Sequence, residues 1–327
     1  MNNILLRIFF YSLFSLICLD AAAQQLPIFT QFPSDMLYFN PAFAGTKRQY
    51  DVRINYRNQW VGMPDAPITE GISLNYKLDH GAMGLGGYVY QDVTGPTTRN
   101  DYTLCYGYHI KFPDLVLSFG AAFSMMEYTV NGSKITTYQP NDPAIDYSLN
   151  TTAWAPDASG GLYLYNDRYA FSLSVDNLAA ADEKLYKKYM PDTTNKGVVQ
   201  LEPHFYGYLS YNFAGNANYI WQSSLFAAET YGAPIYLAYS LRVHCNDKYY
   251  IGASFVLHDA VSLDLGLTIH NSFEVCYSYD LITSPLNHYT SGTQELTLIF
   301  SAESLKKKRK GDTFDQFQKR KYKDIVQ

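Results

Sequence analysis

Val261-Ser262-Leu263-Asp264-Leu265-Gly266-Leu267-Thr268-Ile269-His270 is the stretch that decides the fold. Every odd position is aliphatic. Every even position is small or polar, and one carries a carboxylate. Successive side chains of a strand point to opposite faces, so this is a strand with one apolar and one polar side. A soluble protein buries the first side in a core. An outer-membrane barrel shows it to lipid and turns the second toward a wet lumen.

The same alternation recurs from Asp51 to Phe300. Val52, Ile54 and Tyr56 oppose Asp51, Arg53, Asn55 and Arg57. Tyr102, Leu104, Tyr106, Tyr108 and Ile110 oppose Asp101, Thr103, Cys105, Gly107 and His109. The pattern predicts strands over 50–58, 69–77, 82–91, 99–110, 115–127, 158–166, 169–175, 203–214, 218–229, 234–243, 248–257, 260–268, 272–280 and 293–301. About fourteen strands is an even number, as a bacterial single-chain barrel requires. Connectors after even-numbered strands are short, such as Asp79-His80-Gly81, Phe112-Pro113-Asp114 and His270-Asn271. Several after odd-numbered strands are long, at 128–157, 176–202 and 281–292. Short periplasmic turns against longer outer loops is the asymmetry of an outer-membrane barrel, and a soluble β-sandwich has no reason for it.

Composition agrees. Of 327 residues, 17% are charged and 16% aromatic, with 31 Tyr, which suits aromatic girdles at two membrane interfaces. A mean hydropathy of -0.20 is no obstacle, because half of each strand faces water. Residues 1–23 read as a signal peptide: Arg7, an apolar run from Ile8 to Leu19, then Ala21-Ala22-Ala23 before Gln24. Ile17 is too bulky for a lipidation box at Cys18. No later segment is a spanning helix, so a membrane form must be a closed barrel. Cys105, Cys245 and Cys276 remain and read as unpaired. The expected organisation is a signal peptide at 1–23, a periplasmic or lumenal segment at 24–49, a transmembrane antiparallel barrel at 50–302 and a basic periplasmic tail at 303–327. With a periplasmic start and even parity, both ends are expected in the periplasm.

Gln24-Gln25, Thr30-Gln31 and Asn40-Pro41-Ala42-Phe43-Ala44-Gly45 resemble the opening of the PorP/SprF family. Tyr56-Arg57-Asn58-Gln59-Trp60-Val61-Gly62 with Ala66-Pro67 is similar to that family's first hairpin. Gly84-Leu85-Gly86, Pro156-Asp157, Tyr277-Ser278-Tyr279-Asp280 and Tyr289 to Glu295 extend the likeness in order along the mature chain. Phe43, Asp65, Asp176-Asn177 and Gly292-Thr293-Gln294-Glu295 depart from the family's commoner residues. The resemblance implies a non-enzymatic outer-membrane component of type IX secretion and gliding. Its implied partners are periplasmic or outer-membrane machinery, a secreted or surface adhesin, and outer-membrane lipid, with no nucleic acid and no cofactor. It singles out Asn40, Pro41, Gly45, Arg57, Gln59, Trp60, Gly62, Tyr279, Asp280, Gly292 and Glu295 as motif or structural residues.

Other readings stand beside this one. Asn40–Gly45 is a fixed turn, a lumen plug or a partner contact. Arg53, Arg57, Arg242, Asp101, Asp264, Glu274 and Asp280 point inward by parity, either as a solvated, mutually paired lining or as a dock for the N-terminal segment. Trp60 is a girdle or loop anchor. Asn141, Asp142 and Asp146 lack the Gly and terminal Glu of a calcium loop. No His spacing, nucleophile elbow or phosphate loop is present, so no catalytic or metal residue is expected. In the tail, Lys306, Lys307, Lys308, Arg309 and Lys310, with Phe314 and Phe317, suit a segment that orders on a periplasmic partner. The alternative function is a passive porin or hydrophobic-solute channel.

Overall fold

The structure is a computed structural model. It describes residues 26–302 apart from 48, 79–81, 138–146, 149, 180–181, 185–197, 217–218, 247 and 270–271. The signal segment, Asn141, Asp142, Asp146 and the whole tail from 303 lie outside the described residues.

Fourteen antiparallel strands close into a barrel. They are β1 (Tyr50–Asn58), β2 (Ile68–Lys77), β3 (Met83–Thr94), β4 (Thr97–Lys111), β5 (Val116–Asn131), β6 (Asn150–Tyr165) and β7 (Tyr169–Asp176). β8 (Asp182–Lys184) and β9 (Val198–Gln200) form a separate two-stranded sheet in the next connector. The wall resumes with β10 (His204–Asn216), β11 (Tyr219–Thr230), β12 (Tyr236–Cys245), β13 (Tyr249–Val256), β14 (Ala260–Ile269), β15 (Phe273–Ile282) and β16 (Thr293–Ala302). β1 pairs with β16 from Tyr50↔Ala302 to Asn58↔Gln294, which closes the ring. Every wall strand is paired on both sides through the closed ring, so its backbone groups there are satisfied without water. A soluble sandwich is thereby excluded.

The sequence period matches the wall. Leu263, Leu265 and Leu267 of β14 are exposed outward, whereas Ser262 and Asp264 are fully buried inward. No helix among the described residues is long and apolar enough to cross a membrane.

Two expectations need correction. β5 runs to Asn131 and β6 starts at Asn150, so the connector foreseen at 128–157 is partly wall. Thr129 and Thr152 bond across these extended ends at 3.0 Å, and Arg99 lies 5.8 Å over the Tyr128 ring. β5 and β6 thus stay paired to Asn131↔Asn150, well past Gly160, where the pairing of β6 with β7 stops toward the long-loop rim. Second, the tyrosine excess is not all girdle. Tyr88, Tyr90, Tyr163, Tyr206, Tyr208 and Tyr250 are buried inside the barrel.

Candidate functional site

The lumen is occupied by the chain's own lead. Phe29, Phe32, Met36, Leu37, Phe39, Ala42, Phe43 and Ala44 are all buried there. Each large apolar side chain removed from water contributes about 1.5–3 kcal/mol. Phe32 stacks on Phe226 at 5.1 Å between ring centroids, and Phe39 meets Phe226 and Tyr206 at 4.9 and 5.4 Å. Phe43 packs on Tyr163 at 5.1 Å. The lumen tyrosines are therefore the receiving surface for this plug, an arrangement aromatic pairs favour.

The C-terminal half of the plug is seated by shape. Asn40 caps a short 3-10 turn, Pro41–Phe43, by accepting from the Ala42 amide at 2.8 Å. Pro41 fits the first turn because its missing N–H is not needed there. The Asn40 amide nitrogen donates to Ser172 Oγ at 2.7 Å and to the Leu162 carbonyl at 2.9 Å. Opposite the turn, the wall presents a row of glycines in register: Gly84↔Gly107, Gly107↔Gly120 and Gly120↔Gly161. A Cβ on Gly120 would lie 1.9 Å from the Ala42 nitrogen, and one on Gly161 would lie 2.1 Å from Asn40 Oδ1. Gly45 has φ +81°, and a Cβ there would meet Gly84 Cα at 2.5 Å. It needs glycine for both reasons. Backbone polar groups find partners in the wall. Ser118 Oγ donates to the Ala42 carbonyl at 2.7 Å, and the Gly45 amide donates to Asn75 Oδ1 at 2.6 Å. His109 Nε2 bonds the Ala44 carbonyl at 2.8 Å.

The N-terminal half is seated by charge. Glu295 accepts from the Thr30 amide at 2.8 Å and the Gln31 amide at 3.1 Å. Arg57 Nη1 donates to Thr30 Oγ1 at 2.6 Å and pairs with Glu295 and Asp280 at 3.1 and 3.2 Å. Across the lumen, Arg242 donates to Ser34 Oγ at 2.7 Å and Gln31 Oε1 at 2.9 Å. Tyr250 also donates to Gln31 Oε1, at 2.9 Å. Gly252 and Gly266 leave room for the Arg242 and Tyr250 side chains. Arg53 pairs with Asp51 at 2.6 Å and lies 3.7 Å from Asp35, which also accepts from Ser73. Burial, reinforced by Asp35, pushes the Tyr38 hydroxyl well above its ordinary range, so it serves as a donor to Asn55. The lining is mutually paired at Arg57–Asp280 and Arg242–Asp264, but it is buried against the plug rather than solvated. Arg53, Arg57, Arg242, Asp101, Asp264 and Asp280 are buried, and several dock the plug; Glu274 is half-buried.

The remaining motif residues meet at the long-loop rim, above the β1–β16 seam. The Trp60 amide donates to Thr293 Oγ1 at 3.1 Å, and the Gln59 amide donates to the Pro67 carbonyl at 2.9 Å. Val61 and the 291–292 segment exchange two backbone bonds, of 2.8 and 2.7 Å. Tyr279 donates to the Ser291 carbonyl at 2.6 Å. Trp60, Gly62 and Gly292 hold φ of 50°, 96° and 94°. Non-glycine residues rarely take such angles, so Trp60 is held by its surroundings. Asp259, in the β13–β14 turn, is raised by burial against the opposing pull of Arg57, with Asp280 adding to the rise. The rim and the plug's charged seat therefore share Arg57 and Asp280.

Sequence reasoning missed the glycine row, Ser34, Asp35 and Tyr250. Glycine at lumen parity on four consecutive strands was the available signal. Cys105, Cys245 and Cys276 are free, and among the described residues no cluster of His, Cys, Asp or Glu could hold a metal ion. Lys306, Lys307, Lys308, Arg309, Lys310, Phe314 and Phe317 lie outside the described residues.

Solved structures with a similar fold are outer-membrane barrels. One is the outer membrane protein Omp33 of Acinetobacter baumannii: TM-score 0.43, 12% identity, 79% of this chain and 100% of that chain covered. Another is the monoaromatic hydrocarbon channel CymD: TM-score 0.48, 9% identity, 85% and 94% covered. A third is the Ralstonia pickettii toluene transporter TbuX: TM-score 0.48, 6% identity, 81% and 92% covered. No curated protein matches the chain. The family described as "Type IX secretion system membrane protein PorP/SprF" matches over residues 21–300, nearly all of the wall and its plug, so this outer-membrane barrel belongs to the PorP/SprF family of type IX secretion membrane proteins.

Proposed function

We propose that the chain is a non-enzymatic, non-conducting anchor of the type IX secretion and gliding machinery. The observation that carries this reading is the occupied lumen, because residues 26–45 fill the space a channel would leave open. With transport blocked, function moves to the two rims. The short-turn rim, with the basic tail 303–327, engages periplasmic machinery through Lys306–Lys310, Phe314 and Phe317. The long-loop rim, braced at Trp60–Gly62 and Gly292, supports export or surface attachment of a partner adhesin.

Deletion of residues 303–327 tests the tail. The expected result is a barrel that still reaches the outer membrane but no longer recovers periplasmic partners in a pull-down and exports its adhesin poorly. Unchanged recovery with normal export would remove the docking role.

A further inference from the structure

The lead runs down the lumen while β1 runs up the wall. Leu26 packs with Met126, Ala155 and Leu201 on the long-loop side, and Gly45 lies against Gly84 near the short-turn rim, where β1 begins. The N-terminal end of the plug therefore stands far from that rim, contrary to the expectation that both ends share the periplasm. On this path residues 30–38 pass along one joint of the wall, β1–β16.

That joint differs from the others. Every other joint lies between strands that follow one another along the wall, and a connector ties them. β1 and β16 are the first and last strands, so no connector ties this pair. Closing so long a loop costs chain entropy that a short turn does not. The outward pairs Val52↔Phe300, Ile54↔Leu298 and Tyr56↔Leu296 face lipid. Lipid tails are as apolar as these side chains, so no hydrophobic drive holds them together. What remains, besides the ladder, is an inner row of polar links. Ser301 Oγ donates to Asp51 at 2.6 Å, Asn55 donates to Thr297 Oγ1 at 2.9 Å, and Arg57 pairs with Glu295 at 3.1 Å.

The plug joins the two strands at two of these links. Thr30 Oγ1 accepts from Arg57 of β1, and the Thr30 amide donates to Glu295 of β16. The Tyr38 hydroxyl donates to Asn55 of β1 at 3.4 Å, and Asn55 carries the link to Thr297 of β16. Asp35 adds a contact to Arg53 of β1 at 3.7 Å. Elsewhere Asn40 spans β6–β7 and Gln31 spans β12–β13, once each, at joints a connector already ties. The Asn40–Gly45 half bonds β2 and β4–β7 and leaves β1–β16 alone.

We propose that residues 30–38 are a clasp across the β1–β16 joint, and that release of this half of the plug opens the wall sideways there, between its first and last strands, before the rest of the barrel loosens. With the clasp in place, Arg57, Glu295 and Asn55 are buried and their links have no competitor. With it released, lumen water reaches these groups and competes for each link, which reduces the net worth of the bond. The joint then keeps its ladder and little else. The proposal concerns the plug and the wall alone and does not rest on the secretion role.

The test is amide exchange, read by mass, on the full barrel in lipid vesicles. Thr30→Ala with Asp35→Asn weakens the clasp from the plug side and leaves every wall residue in place. The expected result is exchange at least about tenfold faster at Ile54–Asn58 of β1 and Gln294–Leu298 of β16, the scale of losing hydrogen bonds to charged groups. The β10–β11 joint and the Ala42–Gly45 amides are expected to stay at the wild-type rate. Ile54→Cys with Leu298→Cys places a disulfide across the joint on its lipid face. Once formed, it should return the joint to the wild-type rate while the Gln31 amide stays fast. If the double variant does not assemble, Tyr38→Phe carries the same test: it keeps the ring and is expected to give a smaller rise at the same amides. A β1–β16 joint that stays slow beside a fast Gln31 amide would overturn the proposal. So would an equal rise at β10–β11, or a rise at the joint that the disulfide leaves unchanged. None of these results bears on the tail deletion, so the two readings fail separately.

Discussion

On β14, Leu263 and Leu265 face outward with 54% and 50% of their surface exposed, while Asp264 between them is fully buried 3.5 Å from Arg242. Neighbouring residues of one strand thus answer to different rules. Outward positions need only be apolar, because lipid has no shape to match. Inward positions meet particular atoms of the plug, and each is fixed by a distance. The comparison predicts that substitutions of similar size have unequal effects on the two faces.

The largest effect is expected at Glu295. Glu295→Ala leaves the Thr30 and Gln31 amides and part of Arg57 unmatched in the interior. Loss of one partner from a buried ion pair costs about 3–5 kcal/mol. Chemical unfolding in lipid vesicles measures it, and hydrogen exchange at Thr30 and Gln31 should rise together with the loss.

Gly120→Ala comes next. The added methyl collides with the Ala42 and Pro41 backbone, and overpacking of this kind costs about 1–3 kcal/mol. Gly207→Ala is its outward control, since a Cβ there meets only Leu173 Cδ2 at 3.9 Å. Its expected change is within about 0.5 kcal/mol. Equal effects of the two alanines would break the comparison.

Asn40→Ala removes a cap and the donor to Ser172 and Leu162, for about 1–2 kcal/mol. It should speed exchange of the Ala42 amide more than that of Thr30. Leu263→Val, on the lipid face, should fall within about 0.5 kcal/mol by the same unfolding measurement.

The wall was legible because period two is a local property. Val261 to Ile269 declares its faces without reference to any other strand, and the loop parity followed from counting. The plug was not legible for the opposite reason. Arg57 and Glu295 are 238 positions apart, and Thr30 and Glu295 are 265 apart. Gly84, Gly107, Gly120 and Gly161 each look like an isolated weak point in a strand. Only the register makes them one row, and only the plug gives the row a purpose. The motif residues Asn40, Gly45, Arg57, Asp280 and Glu295 are picked out by family resemblance, and the fold brings them to the two ends of one plug. The tyrosines misled for a related reason: alternation says which way a ring points, not whether water, lipid or another ring awaits it.

The most direct measurement is the conductance of the purified full-length barrel in a planar bilayer, beside a chain lacking residues 26–45. A lumen filled by its own lead predicts no steady current through the wild type and ion-conducting steps through the deleted chain. A stable open conductance from the wild type would contradict the anchor reading and restore the channel.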